Sequence, residues 1–204
     1  MNILGTTLLA AGLATAALSA RAAEYDDPTW PCLQRKVENL SLGLMWPTPV
    51  DPETAAGNEA LRNDVEELAA YLALRRVDLE DARPRVESFA ETHSDTSEAL
   101  GLVFSHVFDA LSNRRTRIID GIAEFSLGQI ALAERIDRAR AEMDEIMAQD
   151  DPDYDRVDAL EEQLDWDQTI YSDRQQSITY LCETPTLLER RLYSIAQLLQ
   201  QAGG

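Results

Sequence analysis

The sequence predicts an all-α protein: a helical bundle with an antiparallel coiled-coil hairpin at about residues 118–181 and an extended, proline-rich N-terminal arm. Two successive stretches carry apolar residues at alternating intervals of three and four, which is the spacing of a coiled-coil seam. Aromatic residues make up only 6% of the 204-residue chain, which favours helices over a β-sandwich. Five of the eight prolines fall between residues 28 and 52, a density that a helix does not tolerate.

Residues 1–22 are predicted to be a secretory signal peptide. An apolar run from 3 to 20 precedes Ala20-Arg21-Ala22, which matches an A-x-A cleavage site. We therefore expect export to the periplasm with cleavage after Ala22. The alternative is an uncleaved N-terminal anchor. No later apolar stretch is long enough to span a bilayer, so we expect no membrane insertion after cleavage.

The arm is predicted at residues 23–57, with one helical turn at 33–40. It carries Trp30 and Trp46, which are candidate contacts with a partner because exposed aromatic anchors often carry binding energy. The alternative is that both indoles pack the arm onto the bundle. The remaining residues, 58–204, are assigned to the bundle and its hairpin.

Helical periodicity covers the chain from residue 53 onward. A first helix is predicted over 58–92, with a kink at 81–83 because Pro84 interrupts the hydrogen-bond ladder. A second begins at the capping cluster of residues 94–98 and either continues to Gln149 or breaks near Asn113. A last helix is predicted to start at Thr184-Pro185 and to end at about residue 201.

The hairpin is predicted from two seams that match each other. When Ile146 is placed opposite Val157, nearly every apolar residue faces another, and Gln129 faces Arg174. A polar layer of this kind fixes register at some cost in stability, whereas Ile136 opposite Asp167 is a poor pair. The first seam is Ile118, Ile122, Phe125, Gln129, Leu132, Ile136, Ala139, Met143 and Ile146, and the second is Val157, Leu160, Leu164, Asp167, Tyr171, Arg174, Ile178 and Leu181.

The two cysteines, Cys32 and Cys182, are predicted to form a disulfide. Both follow the signal peptide, and an even cysteine count in an exported chain favours pairing. The bond would pin the arm at the junction between the hairpin and the bundle. The alternative is two separate buried thiols.

No motif in the sequence supplies a catalytic constellation. The two histidines, His93 and His106, lie outside any metal-ligand spacing; we interpret them as a solvated loop residue and a flank residue of an apolar stripe. A nucleophile elbow, a glycine-rich phosphate loop and a haem-attachment motif are all absent from the sequence. We therefore expect no enzymatic activity and no cofactor.

The charge balance is strongly acidic, with 18 Lys and Arg against 37 Asp and Glu and a net charge of −19. This argues against nucleic-acid binding, which needs a basic patch. Asp151, Asp153, Asp155 and Glu162 fall at ligand positions of an EF-hand loop, but Arg156 occupies the position that requires glycine. We therefore favour a solvated acidic tip over a calcium site.

Paired arginines form one candidate anion site. Guanidinium groups bind anions through bidentate hydrogen bonds, although pairing with the surplus of acidic residues is the favoured alternative. The candidate residues are Arg114, Arg115, Arg117, Arg190 and Arg191.

These observations favour a non-enzymatic, exported helical scaffold or adaptor. We expect it to bind another cell-envelope protein through the hairpin and the arm. The alternative is a periplasmic ligand- or metal-binding helical bundle of sensor type, because bundle cores hold such sites between facing helices. The sequence leaves homo-oligomerisation open.

Overall fold

A computed structural model describes residues 27–93 and 96–204, and these residues form an all-helical fold. The described helices are α1 (Leu42–Met45), α2 (Glu59–Leu72), α3 (Leu79–Thr92), α4 (Thr96–Met147) and α5 (Tyr154–Ala202), with one 3-10 turn at Pro52–Ala55. No strand occurs within 27–93 or 96–204, so the predicted all-α class is confirmed. The predicted signal peptide, 1–22, lies outside the described residues. No helix in the part of the chain described is long and apolar enough to cross a membrane.

Helix α4 is a single helix of 52 residues, about 78 Å long. The chain therefore does not break near Asn113. The buried stripe continues through this region as Leu111, Arg115, Ile119 and Ile122. Arg115 occupies a core position of that stripe. Its hydrogen-bond partners lie on α5 and in the N-terminal segment.

Helix α5 is also unbroken over its 49 residues, with Pro185 inside it. The prediction of a new helix at Thr184-Pro185 is therefore wrong. Pro185 removes the N–H that would bond to the Leu181 carbonyl. Contacts with other parts of the protein nevertheless keep this part of α5 helical. Cys182 and Pro185 are both buried, and the Gln34 side chain donates to the Cys182 carbonyl.

The predicted helix over 58–92 is two helices, and the break lies at 73–78 instead of 81–83. Asp78 starts α3 as an N-cap: its side chain accepts the Glu80 N–H at 2.8 Å, which satisfies one of the free donors of a helix start. Pro84 lies inside α3 and is exposed. Solvent can therefore bond to the Glu80 carbonyl, which the proline deprives of its helical donor.

The base of the molecule is a core built from α2, α3, the first part of α4 and the end of α5. Its most enclosed side chains include Leu72, Val86, Phe104, Leu192 and Leu199. Leu188, Leu192, Ile195 and Leu199 form a buried stripe of α5 after Pro185. The apolar spacing on α5 thus continues across Pro185.

The hairpin consists of α4 from residue 118 onward and α5 up to residue 181. Its core contains Leu132, Ile136, Ala139, Met143 and Ile146 of α4 packed with Leu160, Leu164 and Tyr171 of α5. These are the predicted seam residues, so the antiparallel hairpin is confirmed. Asp153 caps α5 by accepting the Arg156 N–H at 3.0 Å.

Residues 27–57 contain no helix longer than four residues. The predicted turn at 33–40 is wrong, because the helical turn is α1, at Leu42–Met45. This segment reaches the base at Gly101, where an added Cβ would lie 3.2 Å from both the Trp46 indole nitrogen and Val50. Glycine therefore allows the close approach of the segment to α4.

Candidate functional site

The N-terminal segment is attached where the hairpin joins the base. The Sγ atoms of Cys32 and Cys182 are 2.00 Å apart and their Cα atoms 5.5 Å apart, so the predicted pair is at disulfide distance. Both cysteines are buried against Ile122. The pair therefore joins the segment to α5 beside the surface of α4.

Three side-chain hydrogen bonds reinforce this attachment. The Ser126 hydroxyl of α4 donates to the Pro28 carbonyl at 2.6 Å. The Trp30 indole donates to the Gln34 carbonyl at 2.7 Å, and Gln34 in turn donates to Cys182. Trp30 is half-buried and packs against the disulfide cluster, so one face of the predicted contact residue is already occupied.

Beside this attachment, the N-terminal segment and both hairpin helices enclose a groove of about 380 Å³. We call it the hairpin–arm groove. Its apolar lining combines Pro31 of the segment with Phe125, Ile130 and Ala133 of α4 and Tyr171 and Ile178 of α5. The groove is thus an apolar concavity formed by α4, α5 and the N-terminal segment that the cysteine pair holds against them.

Gln129 lies in this groove and is incompletely satisfied. Its amide nitrogen donates to the Tyr171 carbonyl at 3.2 Å, while its Oε1 is buried without a hydrogen-bond partner. Arg174 is exposed, and no hydrogen bond joins it to Gln129 in the described chain. The predicted Gln129–Arg174 layer is therefore not built as a buried polar pair, because the long arginine side chain extends to solvent.

The hairpin carries instead an ion pair between Arg135, whose side chain is half exposed, and Asp167, which is buried. Arg135 donates through Nε to Asp167 Oδ2 at 2.7 Å and through Nη2 to Oδ1. This hydrogen bonding lowers the pKa of Asp167 below its ordinary value and raises that of Arg135. The seam pattern does not predict this pair because Arg135 lies one residue outside the seam, although its side chain is long enough to reach across.

Trp46 is not available to a partner. It is 5% exposed and stacks on Phe104, with 5.2 Å between ring centroids. Its interpretation as a candidate partner contact is therefore wrong. The alternative, packing of the segment onto the bundle, describes it correctly.

Two of the five candidate anion-binding arginines are used inside the protein. Arg115 is buried and bonded to Glu189 and to the carbonyls of Val37 and Glu38. Arg191 donates to the carbonyls of Leu72, Leu74 and Val77.

Arg191 thereby completes the C-terminal end of α2, where helical carbonyls lack partners. Burial lowers its pKa, and Asp78 opposes that shift. Arg114, Arg117 and Arg190 are exposed. The structure therefore does not assemble an anion clamp around Arg115 and Arg191, whose donors already face protein acceptors.

His93 is more enclosed than the sequence predicts. Its side chain is 15% exposed, with Nε2 3.3 Å from Asp64 Oδ2, and it packs on Phe89. The interpretation as a solvated loop residue is wrong, because α2 and α3 close over it. His106 is exposed on α4.

Within the described ranges, no group of three or more His, Cys, Asp or Glu residues is placed to hold a metal ion.

The hairpin also carries exposed apolar residues that were not among the predicted contact residues. Trp166 is 65% exposed, yet the sequence drew attention only to the tryptophans near the prolines. The available signal was its position: Trp166 falls between seam residues 164 and 167 and therefore cannot face α4. No known family model, curated protein or solved structure matches this chain.

Proposed function

We propose that this protein is a non-enzymatic, exported helical adaptor that binds another cell-envelope protein through the hairpin–arm groove. The observation that carries the proposal is the apolar concavity between Pro31, Ile130 and Tyr171. Export depends on the predicted signal peptide at 1–22. A partner would place apolar side chains in the groove, as proteins do at interfaces with a buried apolar centre.

The geometry of the groove supports binding without large rearrangement. Its walls are two long helices that pack together on either side of the groove, and the Cys32–Cys182 pair holds Pro31 beside them. Binding to a preformed surface avoids the entropic cost of ordering it. Leu127 and Ile130, which are neighbours on α4, are also exposed. Leu127 does not line the groove and extends the apolar surface beyond it.

One observation favours the alternative of a ligand-binding bundle. A volume of about 380 Å³ lies within the range of small-molecule sites, and the unpartnered Gln129 Oε1 could accept a hydrogen bond. A periplasmic sensor module would use the same groove. The adaptor and the ligand-binding function therefore share the same groove and differ only in whether a protein or a small molecule occupies it.

Site-specific photo-crosslinking in cells tests the adaptor proposal. A photo-crosslinking residue replaces Ile130 in the groove, and the matched control replaces Tyr193, an exposed residue of the base. We expect one stoichiometric envelope protein to crosslink at position 130 and not at 193. We also expect Ala133→Glu, which places a charge in the groove, to abolish the product.

Three results would contradict the proposal. Recovery of the protein without any crosslinked product would contradict the proposal of a protein partner. Added small-molecule mass in native mass spectrometry would then favour the ligand-binding alternative. Turnover of a substrate by the purified protein would refute the non-enzymatic assignment. A mature chain that does not begin at Ala23 would refute cleavage after Ala22.

A further inference from the structure

A second apolar stripe runs along α5, on the opposite side of its seam from the groove. Trp166, Ile170 and Tyr180 are all exposed, Tyr180 to 76%. With Asp173 and Ser177 between them, these positions repeat at intervals of 4-3-4-3, the spacing of a coiled-coil seam. We call this stripe the outer α5 face.

The outer α5 face is a helix surface that α4 leaves uncovered. Each apolar member precedes a seam residue by one position, which turns it about 100° away from the seam. The groove, in contrast, uses Gln175, which follows a seam position. The stripe from Trp166 to Tyr180 is about 21 Å long, which matches the contact length of one short helix.

The carboxylates beside this stripe determine the charge of its partner. Asp158, Glu161, Glu162 and Asp165 line a depression of about 480 Å³ with Trp166. All four are exposed, and none forms a salt bridge with another described residue. The hairpin sequence, 118–181, has 17 acidic and 5 basic residues and a net charge of −12. A cationic surface would therefore be attracted to it.

We propose that the outer α5 face docks a basic amphipathic helix of a partner protein. Apolar residues of that helix would pack on Trp166, Ile170 and Tyr180. Its Lys and Arg residues would pair with the flanking carboxylates, as charged flanks do in coiled coils. The Trp166 indole adds a surface for arginine stacking.

A second copy of this chain is a poorer occupant of the same face. Two copies would bring together the same carboxylates on chains that each carry −19, and like charges oppose such contact. Docking on this face does not depend on whether the hairpin–arm groove is occupied. The two proposals can therefore fail separately.

Binding of a designed peptide to the mature, oxidised protein tests this inference. The probe is an amphipathic helical peptide of about 18 residues with leucines on one stripe and Lys and Arg on its flanks, long enough to span the face. The comparator keeps the leucines and carries Glu on its flanks. By fluorescence anisotropy we expect the basic peptide to bind, with affinity that falls as salt rises, and the acidic peptide not to bind.

Variants locate the binding on the protein. Trp166→Ala should weaken binding at least about tenfold, as truncation of a central aromatic anchor does, whereas Tyr193→Ala, which removes an exposed aromatic from the base, should not. Neutralising the four flanking carboxylates should weaken binding and flatten its salt dependence. The control neutralises four exposed carboxylates outside the hairpin: D81N, E87Q, E91Q and D109N.

The outcomes separate docking from general attraction to an acidic protein. Equal losses in the hairpin and control charge variants, or no effect of Trp166→Ala, would overturn the inference. A dimer in sedimentation velocity that Trp166→Ala dissociates would assign the face to a second copy and would also overturn it. Because every substituted side chain is exposed, circular dichroism and urea unfolding should confirm that the variants fold. Crosslinking at position 130 tests the groove independently.

Discussion

Replacing Arg115 by methionine should release the N-terminal segment from the body of the protein. The Arg115 side chain is 3% exposed and connects three parts of the chain. Nε donates to Glu189 on α5 at 2.8 Å, and the Nη atoms donate to the carbonyls of Glu38 and Val37. Methionine keeps most of the volume but leaves a carboxylate and two carbonyls without their donors.

The expected magnitude follows from the burial of these partners. Removing one member of a buried ion pair costs about 3–5 kcal/mol. The Glu189 side chain is 33% exposed, so water recovers part of that loss. We therefore expect the free energy of opening of the segment to fall by about 2–3 kcal/mol, which raises the open population about 30- to 150-fold.

The sequence supplies a specific assay for this opening. Lys36 is the only lysine in the chain, and it directly precedes Val37, whose carbonyl Arg115 binds. A lysine-specific protease therefore cuts at one place, and a reducing gel separates the products. When closing is fast relative to cleavage, the cleavage rate follows the open population.

Arg135→Met is the matched control, because it removes the same chemistry from a hairpin ion pair that does not contact the segment. R115M/E189Q removes the stranded carboxylate and should restore part of the protection. Unchanged cleavage in R115M, or equal acceleration in R135M, would refute the assigned role of Arg115. Failure of E189Q to restore protection would show that the carbonyl contacts carry the attachment.

Three further predictions concern stability. Trp46→Ala should lower the free energy of unfolding by about 3–5 kcal/mol, since it empties a packed aromatic site; a loss below about 1 kcal/mol in urea unfolding would contradict its burial. C32S/C182S should cost up to about 5 kcal/mol for the 150-residue separation, and an unchanged urea midpoint would count against the disulfide. The Asp167 pKa lies below its ordinary value near 3.8, so its stabilisation is complete above that pH and is lost as pH falls through the native pKa. The stability difference between wild type and Asp167→Asn should therefore shrink below about pH 4, and a constant difference would refute the Arg135 contact.

The hairpin could be predicted because its signal is local and repeated. Each seam supplies several apolar residues at coiled-coil spacing, so single exceptions such as Gln129 do not hide the pattern. Two such seams that match in antiparallel order also predict their own register. The structure packs most of these residues into two clusters, one in the outer part of the hairpin and one beside the cysteine pair.

The helix boundaries could not be predicted in the same way, because distant residues decide them. Pro185 predicts a helix start, yet burial beside Cys182 keeps α5 continuous. The chain can break between α2 and α3 because Arg191 of α5 donates hydrogen bonds to the carbonyls that the break leaves without helical partners. Tertiary partners of this kind leave no local pattern in the sequence.

The candidate contact residues show the same limit. Trp46 and Trp166 are the same residue type, and each is exposed or buried according to which element lies opposite it. The tight approach at Gly101 brings Trp46 onto Phe104, a contact between positions 58 residues apart in the sequence. Trp166 could have been recognised as exposed from its place beside the seam, because that position is fixed by local helical geometry.

The disulfide should affect the two proposed surfaces differently, and this separates them experimentally. The groove includes Pro31, which is adjacent to Cys32, so reduction frees one wall of the groove. The outer α5 face contains no residue of the N-terminal segment; Trp166 and its carboxylates all lie on α5. Reduced protein that stays folded should therefore lose crosslinking at Ile130 and keep its affinity for the basic peptide within about twofold. Equal loss of both would mean that the segment, and not the α4–α5 seam, holds the hairpin in shape.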